Sequence, residues 1–169
     1  LTASEIGDLI GKGEIDPVEL TEYFISQIDL SPIGKKIYST VTSQLALEQA
    51  KDSKIRAKLG RRLSSLDGVP ISWKDLFDIK GYPCEAGSDL LAGRLANKKA
   101  KVYNFAEAHG LICLGKTHMS ELAFSGLGLN PVKETPPCIN YPEAVPGGSS
   151  SGAATSVAFG LAAAGIGSD

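Results

Sequence analysis

The sequence predicts an α/β protein in which a mixed, largely parallel sheet is covered by helices. Capping residues mark helix starts near Thr2 and Asp16. Short apolar runs at 69–73 and 111–114 read as strands with a helical stretch between them, and a glycine-rich turn near 147 leads into a small-residue helix and a last strand near Gly165. Strands separated by helices are the signature of a sheet whose crossovers are helical, hence parallel. A length of 169 residues with 43% hydrophobic content supplies one core of ordinary domain size.

In chain order, Thr2 with Glu5 forms a capping box that opens a helix over 3–12, and Gly13 closes it. Asp16 and Glu19, flanking Pro17, open a second helix over 17–30. Residues 43–59 are rich in Ala, Leu, Glu, Gln and Lys at helical spacing and predict a third, more exposed helix. Its basic end, Lys54, Arg56, Lys58, Arg61 and Arg62, reads as a solvated face. The helical region is expected to span 1–62, and an α/β core segment 63–169. There Val69, Ile71 and Trp73 alternate with Pro70, Ser72 and Lys74, the period of a strand. A helix near 99–109 leads through Gly110 into a strand, Leu111 to Leu114. A short helix near 119–124 precedes a long loop, Ser125 to Gly148, carrying Pro131, Pro136, Pro137, Pro142 and Pro146; loops of this length are commonly functional. The last unit is a helix over about 152–163 and a strand from Gly165.

Composition excludes several functions. The net charge of −2 and the dispersed basic residues give no face for direct binding of nucleic acid or an anionic membrane. Val157 to Ile166, the longest small apolar stretch, is too short to span a bilayer. Cys84, Cys113 and Cys138 are odd in number and far apart, which reads as reduced thiols in a cytoplasmic protein. No C-x-x-C or H-x-x-x-H spacing predicts a metal, and His109 and His118 read as structural. With Leu1 in place of an initiator Met and no secretory signal, both ends are expected to belong to a longer chain.

Two motifs point to catalysis and are weakened by their context. Gly110 to Thr117 fits the phosphate-loop pattern G-x-x-x-x-G-K-[ST], which would make a nucleotide-binding protein. That loop needs an open turn after a strand; here the middle residues are themselves strand-like and follow a helix. Gly148-Ser-Ser-Ser-Gly152 fits the G-x-S-x-G nucleophile elbow at Ser150, but a loop precedes it and both histidines lie upstream. With histidine set aside, Lys74 is the candidate base. On a strand buried on both faces its ammonium form is disfavoured by desolvation, and serine–lysine pairs can replace serine–histidine. The alternative for Lys74 is a strand-end cation paired with Asp75 or Asp78.

Taken together, Gly68-Val-Pro-Ile-Ser-Trp-Lys74-Asp75, Gly115-Lys-Thr-His-Met-Ser-Glu-Leu122, Val145-Pro-Gly-Gly-Ser-Ser-Ser-Gly152 and Gly165-Ile-Gly-Ser-Asp169 resemble, in that order, the amidase signature family. The resemblance covers nearly the whole chain. It implies the N-terminal part of the amidase signature fold and an amidase that cleaves a carboxamide C–N bond of a small-molecule linear amide without cofactor or metal. It makes Lys74 the catalytic base and Ser149, the first serine after paired glycines and held by a cis peptide, the second catalytic residue. Ser150, Ser151, Ser168 and Asp169 take supporting roles, and Met119 and Gly148 are expected to contact substrate. The family's nucleophilic serine lies in a D-T-G-G-S segment, which puts it four positions beyond Asp169, so these residues alone are expected to be inactive. Proton transfer would run from that serine through Ser149 to neutral Lys74. One departure is the family's G-G-S-S-G-G, here Gly147-Gly-Ser-Ser-Ser-Gly152. Ala123 to Pro131 looks more like stand-alone bacterial amidases, with a homodimer as one possible assembly; the alternative is the ammonia-supplying subunit of a glutamine-dependent, tRNA-linked amidotransferase with its partner subunits.

Overall fold

The computed structural model describes residues 1–168. Helix α1 (Ala3–Lys12) starts on the Thr2 and Glu5 capping box and stops where Gly13 turns left-handed at φ 75°. Helix α2 (Pro17–Leu30) starts where the Asp16 carboxylate accepts the Val18 N–H, with Pro17 in its first turn. A single turn, α3 (Gly34–Ile37), then leads into β1 (Tyr38–Val41). Neither was expected, because four residues without turn punctuation carry no periodicity to read. Long-range bonds define them instead: Thr42 donates its hydroxyl to the Cys113 carbonyl and its N–H to the Leu114 carbonyl.

Helix α4 (Ser43–Lys58), β2 (Pro70–Lys74), α5 (Lys101–Ala108), β3 (Ile112–Thr117), α6 (Ser151–Ala158) and β4 (Ala164–Ile166) follow. The sheet order is β1-β3-β2-β4, with β2 parallel to both β3 and β4, and β1 antiparallel to β3, so the sheet is mixed and largely parallel. Every residue of the two central strands is buried. Ile71 and Trp73 share a core cluster with Cys113, Tyr103 and, from α1, Ile6 and Ile10. Leu114 belongs to a second cluster with Phe24 and Ile28 of α2. Ile112 packs on Ala46 and Ala50 of α4. Full burial of Trp73 and Ile71 contributes roughly 2–3 kcal/mol each.

Several boundaries differ from the sequence reading. β3 runs three residues past Leu114, to Thr117, because the Lys116 amine finds Asp75 at 2.7 Å and can stay buried inside the sheet. The segment expected as a helix near 119–124 is a 3₁₀ turn, Glu121–Ala123, in which Leu122 and Ala123 are left-handed, so an α-helix cannot continue through it. The last helix ends at Ala158 rather than 163: Gly160 turns left-handed, and Leu161 and Ala162 enter the core below β4. The basic end of α4 is not wholly solvated. Arg56 turns inward to the fully buried carboxylate of Asp67.

Candidate active site

Sheet topology places Lys74 at the end of a central strand, with its side chain 0% exposed. Its Nζ lies 2.6 Å from Ser149 Oγ and 2.8 Å from Ser168 Oγ. The acids that could have made it a strand-end cation are engaged elsewhere: Asp75 with Lys116, and Asp78 with both terminal nitrogens of Arg94 at 2.7 and 3.0 Å. Arg94 holds the Asp78 carboxyl below the usual carboxylate range, against the opposing effect of burial.

Ser149 is seated by backbone. Gly147 donates to the Leu127 carbonyl and Gly148 to the Gly126 carbonyl, while the Ser149 carbonyl accepts the Ser120 N–H at 3.1 Å. The Gly148–Ser149 peptide is cis. Glycine is required here: a Cβ on Gly148 would lie 2.7 Å from the Gly128 Cα and N, and one on Gly128 would lie 2.1 Å from the Gly147 oxygen. Immediately after, Ser150 forms a two-way bond with Ser168, its hydroxyl donating to the Ser168 carbonyl at 2.9 Å and accepting the Ser168 N–H at 3.1 Å. Gly167 lies directly over Ser150, whose Oγ would be 2.6 Å from an added Cβ. This contact brings the Ser168 hydroxyl to Lys74.

The residues expected from sequence divide accordingly. Lys74, Ser149, Ser150 and Ser168 come together, although Lys74 and Ser168 are 94 positions apart. Asp169 lies outside the described residues. Gly148 is exposed beside Ser149, whereas the Met119 side chain is fully buried and its carbonyl accepts from Asn130. Ser151, expected to support the site by hydrogen bonding, points its hydroxyl into the packed first turn of α6, where it has no partner among the described residues. Ser150 does not stand on a strand-to-helix elbow, since a loop precedes it. The phosphate-loop match is mostly buried β3, whose amides serve the sheet and whose Lys116 is ion-paired.

His118 is buried, and its amide donates to the Ile37 carbonyl. Desolvation lowers its imidazole below the usual range, with Asp75 and Glu134 pulling the other way. His109 sits at the end of α5 with Nδ1 2.8 Å from the Phe105 carbonyl. Among the described residues no group of three or more His, Cys, Asp or Glu could hold a metal, and no helix is long and apolar enough to cross a membrane.

The start of α6 is pressed against β3. The Gly152 N–H donates to the His118 carbonyl at 2.9 Å, and a Cβ there would lie 2.5 Å from that oxygen, 2.7 Å from the His118 nitrogen and 2.8 Å from the Ile37 oxygen. All three are backbone atoms that cannot swing aside. Gly152→Ala is therefore expected to cost about 1–3 kcal/mol, read as a lower midpoint in denaturant with an unchanged slope.

With this geometry in view, comparison with known proteins is informative. The family model described as Amidase matches residues 19–169. The glutamyl-tRNA(Gln) amidotransferase of Anaeromyxobacter dehalogenans (strain 2CP-C) has a first subunit, designated by the letter A, that is 37% identical over 167 residues, 98% of this chain and 34% of that protein. Its counterpart in Vesicomyosocius okutanii is 40% identical over 156 residues, 90% of this chain and 31% of that protein. Among solved structures, native peptide amidase from Stenotrophomonas maltophilia superposes with a TM-score of 0.85 at 26% identity, covering 95% of this chain and 34% of that one. The chain thus spans about a third of the length of these relatives. The family match takes in nearly all of the α/β framework and both Lys74 and Ser149, and the chain belongs to the amidase family.

Proposed function

We propose that Lys74 and Ser149 are the base and the proton relay of a site that cleaves a carboxamide C–N bond. The observation that carries this reading is the 2.6 Å contact between the fully buried Lys74 amine and the Ser149 hydroxyl. A general base must lie within about 2.6–3.2 Å of the proton it takes, and this one does. A neutral amine accepts the Ser149 proton while the Ser149 oxygen takes one from the attacking serine that the family resemblance puts beyond Asp169. The acyl group passes to that serine, and the returning proton leaves with ammonia. Water then releases the acid by the same path. A hydroxyl suits the middle position because it passes a proton without holding charge in a dry site. Ser168, 2.8 Å from the amine, orients it, and Ser150 holds Ser168.

Within this chemistry, the reading best supported is the amidase-family subunit of a glutamyl-tRNA(Gln) amidotransferase. Relatives from that enzyme are 34–40% identical over 90–100% of this chain, a broader likeness than the nine residues Ala123 to Pro131 that suggested a stand-alone amidase. Glutamine is then the nitrogen donor, partner subunits complete the assembly, and the setting is cytoplasmic, in keeping with three cysteines that form no disulfide.

The test is ammonia release from L-glutamine by the full-length protein, alone and with partner subunits and the glutamyl-tRNA acceptor. Release that rises with partners and acceptor is the expected result. Rapid release from simple amides by the isolated protein would establish the stand-alone enzyme instead, and no release under either condition would refute the amide-cleaving reading.

A further inference from the structure

Asn130, in the long proline-rich loop, is 7% exposed and uses all of its hydrogen-bonding capacity. Its Nδ2 donates to the carbonyls of Gly87 and Met119, each at 2.8 Å. Its Oδ1 accepts the N–H groups of Val132 at 3.0 Å and Lys133 at 2.8 Å. The two carbonyls belong to the segments that carry the two ends of the Lys74–Ser149 contact. On the Gly87 side, Ala86 donates its N–H to the Asp75 carbonyl and Glu85 donates its own to Asp75 Oδ2, and Asp75 directly follows Lys74. Lys116 anchors the same carboxylate and also donates to the Pro83 carbonyl. On the Met119 side, the next residue, Ser120, donates its N–H to the Ser149 carbonyl. The approach at Gly87 is tight: its φ is 65°, and an added Cβ would lie 2.7 Å from Asn130 Nδ2.

We propose that Asn130 is a positioning residue of the site: its amide group joins the turn bound to Asp75 to the segment that holds Ser149, and so sets the separation of Lys74 and Ser149. This rests on the amide-cleaving reading above. Lys74 stands at the end of a strand and Ser149 in a loop, so the sheet fixes the first but not the second. The Asn130 bridge, reinforced by the Leu122 N–H bond to the Ala86 carbonyl, closes a hydrogen-bonded ring around the pair. A buried amide with every donor and acceptor engaged has one geometry in which it is satisfied, and displacement of either segment leaves a buried group unpaired.

The experiment uses the full-length protein and the ammonia-release assay. Asn130→Asp keeps the size and the acceptor oxygen but turns a carboxylate oxygen toward two carbonyls. The kcat is expected to fall about 10²-fold, the scale of a displacement near 1 Å, while KM stays within about threefold. Lys133→Met is the control, since it removes that loop's ion pairs with Glu85 and Asp89 without touching the bridge, and it is expected to keep kcat within about threefold. If Asn130→Asp does not fold, Asn130→Ser replaces it with the same expected loss, its smaller side chain leaving the two carbonyls to water. A kcat near wild type in the folded Asn130 variant overturns the inference, as does an equal loss in Lys133→Met, which would trace the effect to loop stability. Wild-type protein that releases no ammonia overturns the functional reading and this inference with it. Wild-type activity that needs Lys74 but not Asn130 overturns this inference alone.

Discussion

Lys74→Met in the full-length protein is expected to lower amide turnover by about 10³-fold or more, at the upper end of what a positioned general base contributes. The variant is expected to fold. Lys74 is fully buried, so methionine of similar length exchanges an amine that is costly to desolvate for an apolar group, and the thermal midpoint should stay the same or rise. Ser149→Ala is expected to lose as much, because it removes the hydroxyl 2.6 Å from the amine that links base to nucleophile. The double variant should be no worse than either single one, as groups that act as one relay are not additive. Steady-state ammonia release and a thermal melt on the same samples make the measurement. Turnover within tenfold of wild type in either folded variant would remove Lys74 or Ser149 from its proposed role.

The features legible in the sequence are those whose causes are local. Helices α1 and α2 have the predicted limits because Thr2 with Glu5, Gly13, and Asp16 with Pro17 settle each end within a few residues. The strand around Ile71 and Trp73 was legible by alternation, and its burial on both faces followed from its place in a parallel sheet. Lys74 and Ser149 were different. They are 75 positions apart, no spacing connects them, and only the family resemblance named them together. What stayed hidden depends on distant partners. Gly115 to Thr117 continue β3 because Asp75, 41 positions away, neutralises Lys116. Ser168 joins the site because Gly167 fits against Ser150. Asn130 reads in sequence as a polar loop residue before a proline, and its importance is visible only once Gly87 and Met119 are brought to it. The serine cluster shows both sides. Its glycines announced a tight turn, but nothing in three adjacent hydroxyls distinguished the relay at Ser149 from the clamp at Ser150 or the unpartnered Ser151.

Arg56 supplies the largest expected effect on stability. The carboxylate of Asp67 is fully buried and is held by Arg56 through Nε at 2.8 Å and a terminal nitrogen at 2.7 Å, with the Leu63 N–H at 2.9 Å. This pair joins the last turn of α4 to the turn that enters β2, and Gly110 packs so closely on it that an added Cβ would lie 2.3 Å from Asp67 Oδ1. Arg56→Met leaves the buried anion without its counterion, at an expected cost of about 3–5 kcal/mol near neutral pH, a large share of a typical total stability. The pH dependence distinguishes this cause from a loss of packing. In the wild type, burial alone would raise the Asp67 carboxyl, but the hydrogen bond from Arg56 and those behind it outweigh burial and hold it below the usual carboxylate range. A depressed folded value contributes stability above the unfolded value of about 3.9 and loses it as pH falls through the folded value. In Arg56→Met the sign reverses: without the guanidinium the buried carboxyl is raised, so that variant loses stability as pH climbs through about 4. The two stability curves, from denaturant melts of the full-length proteins, should lie far apart at pH 7 and converge toward pH 3. Adding Asp67→Asn to Arg56→Met should recover part of the loss at pH 7 and remove most of the pH dependence of the gap. A gap that is constant from pH 7 to pH 3 would show that Arg56 contributes by packing rather than by neutralising Asp67.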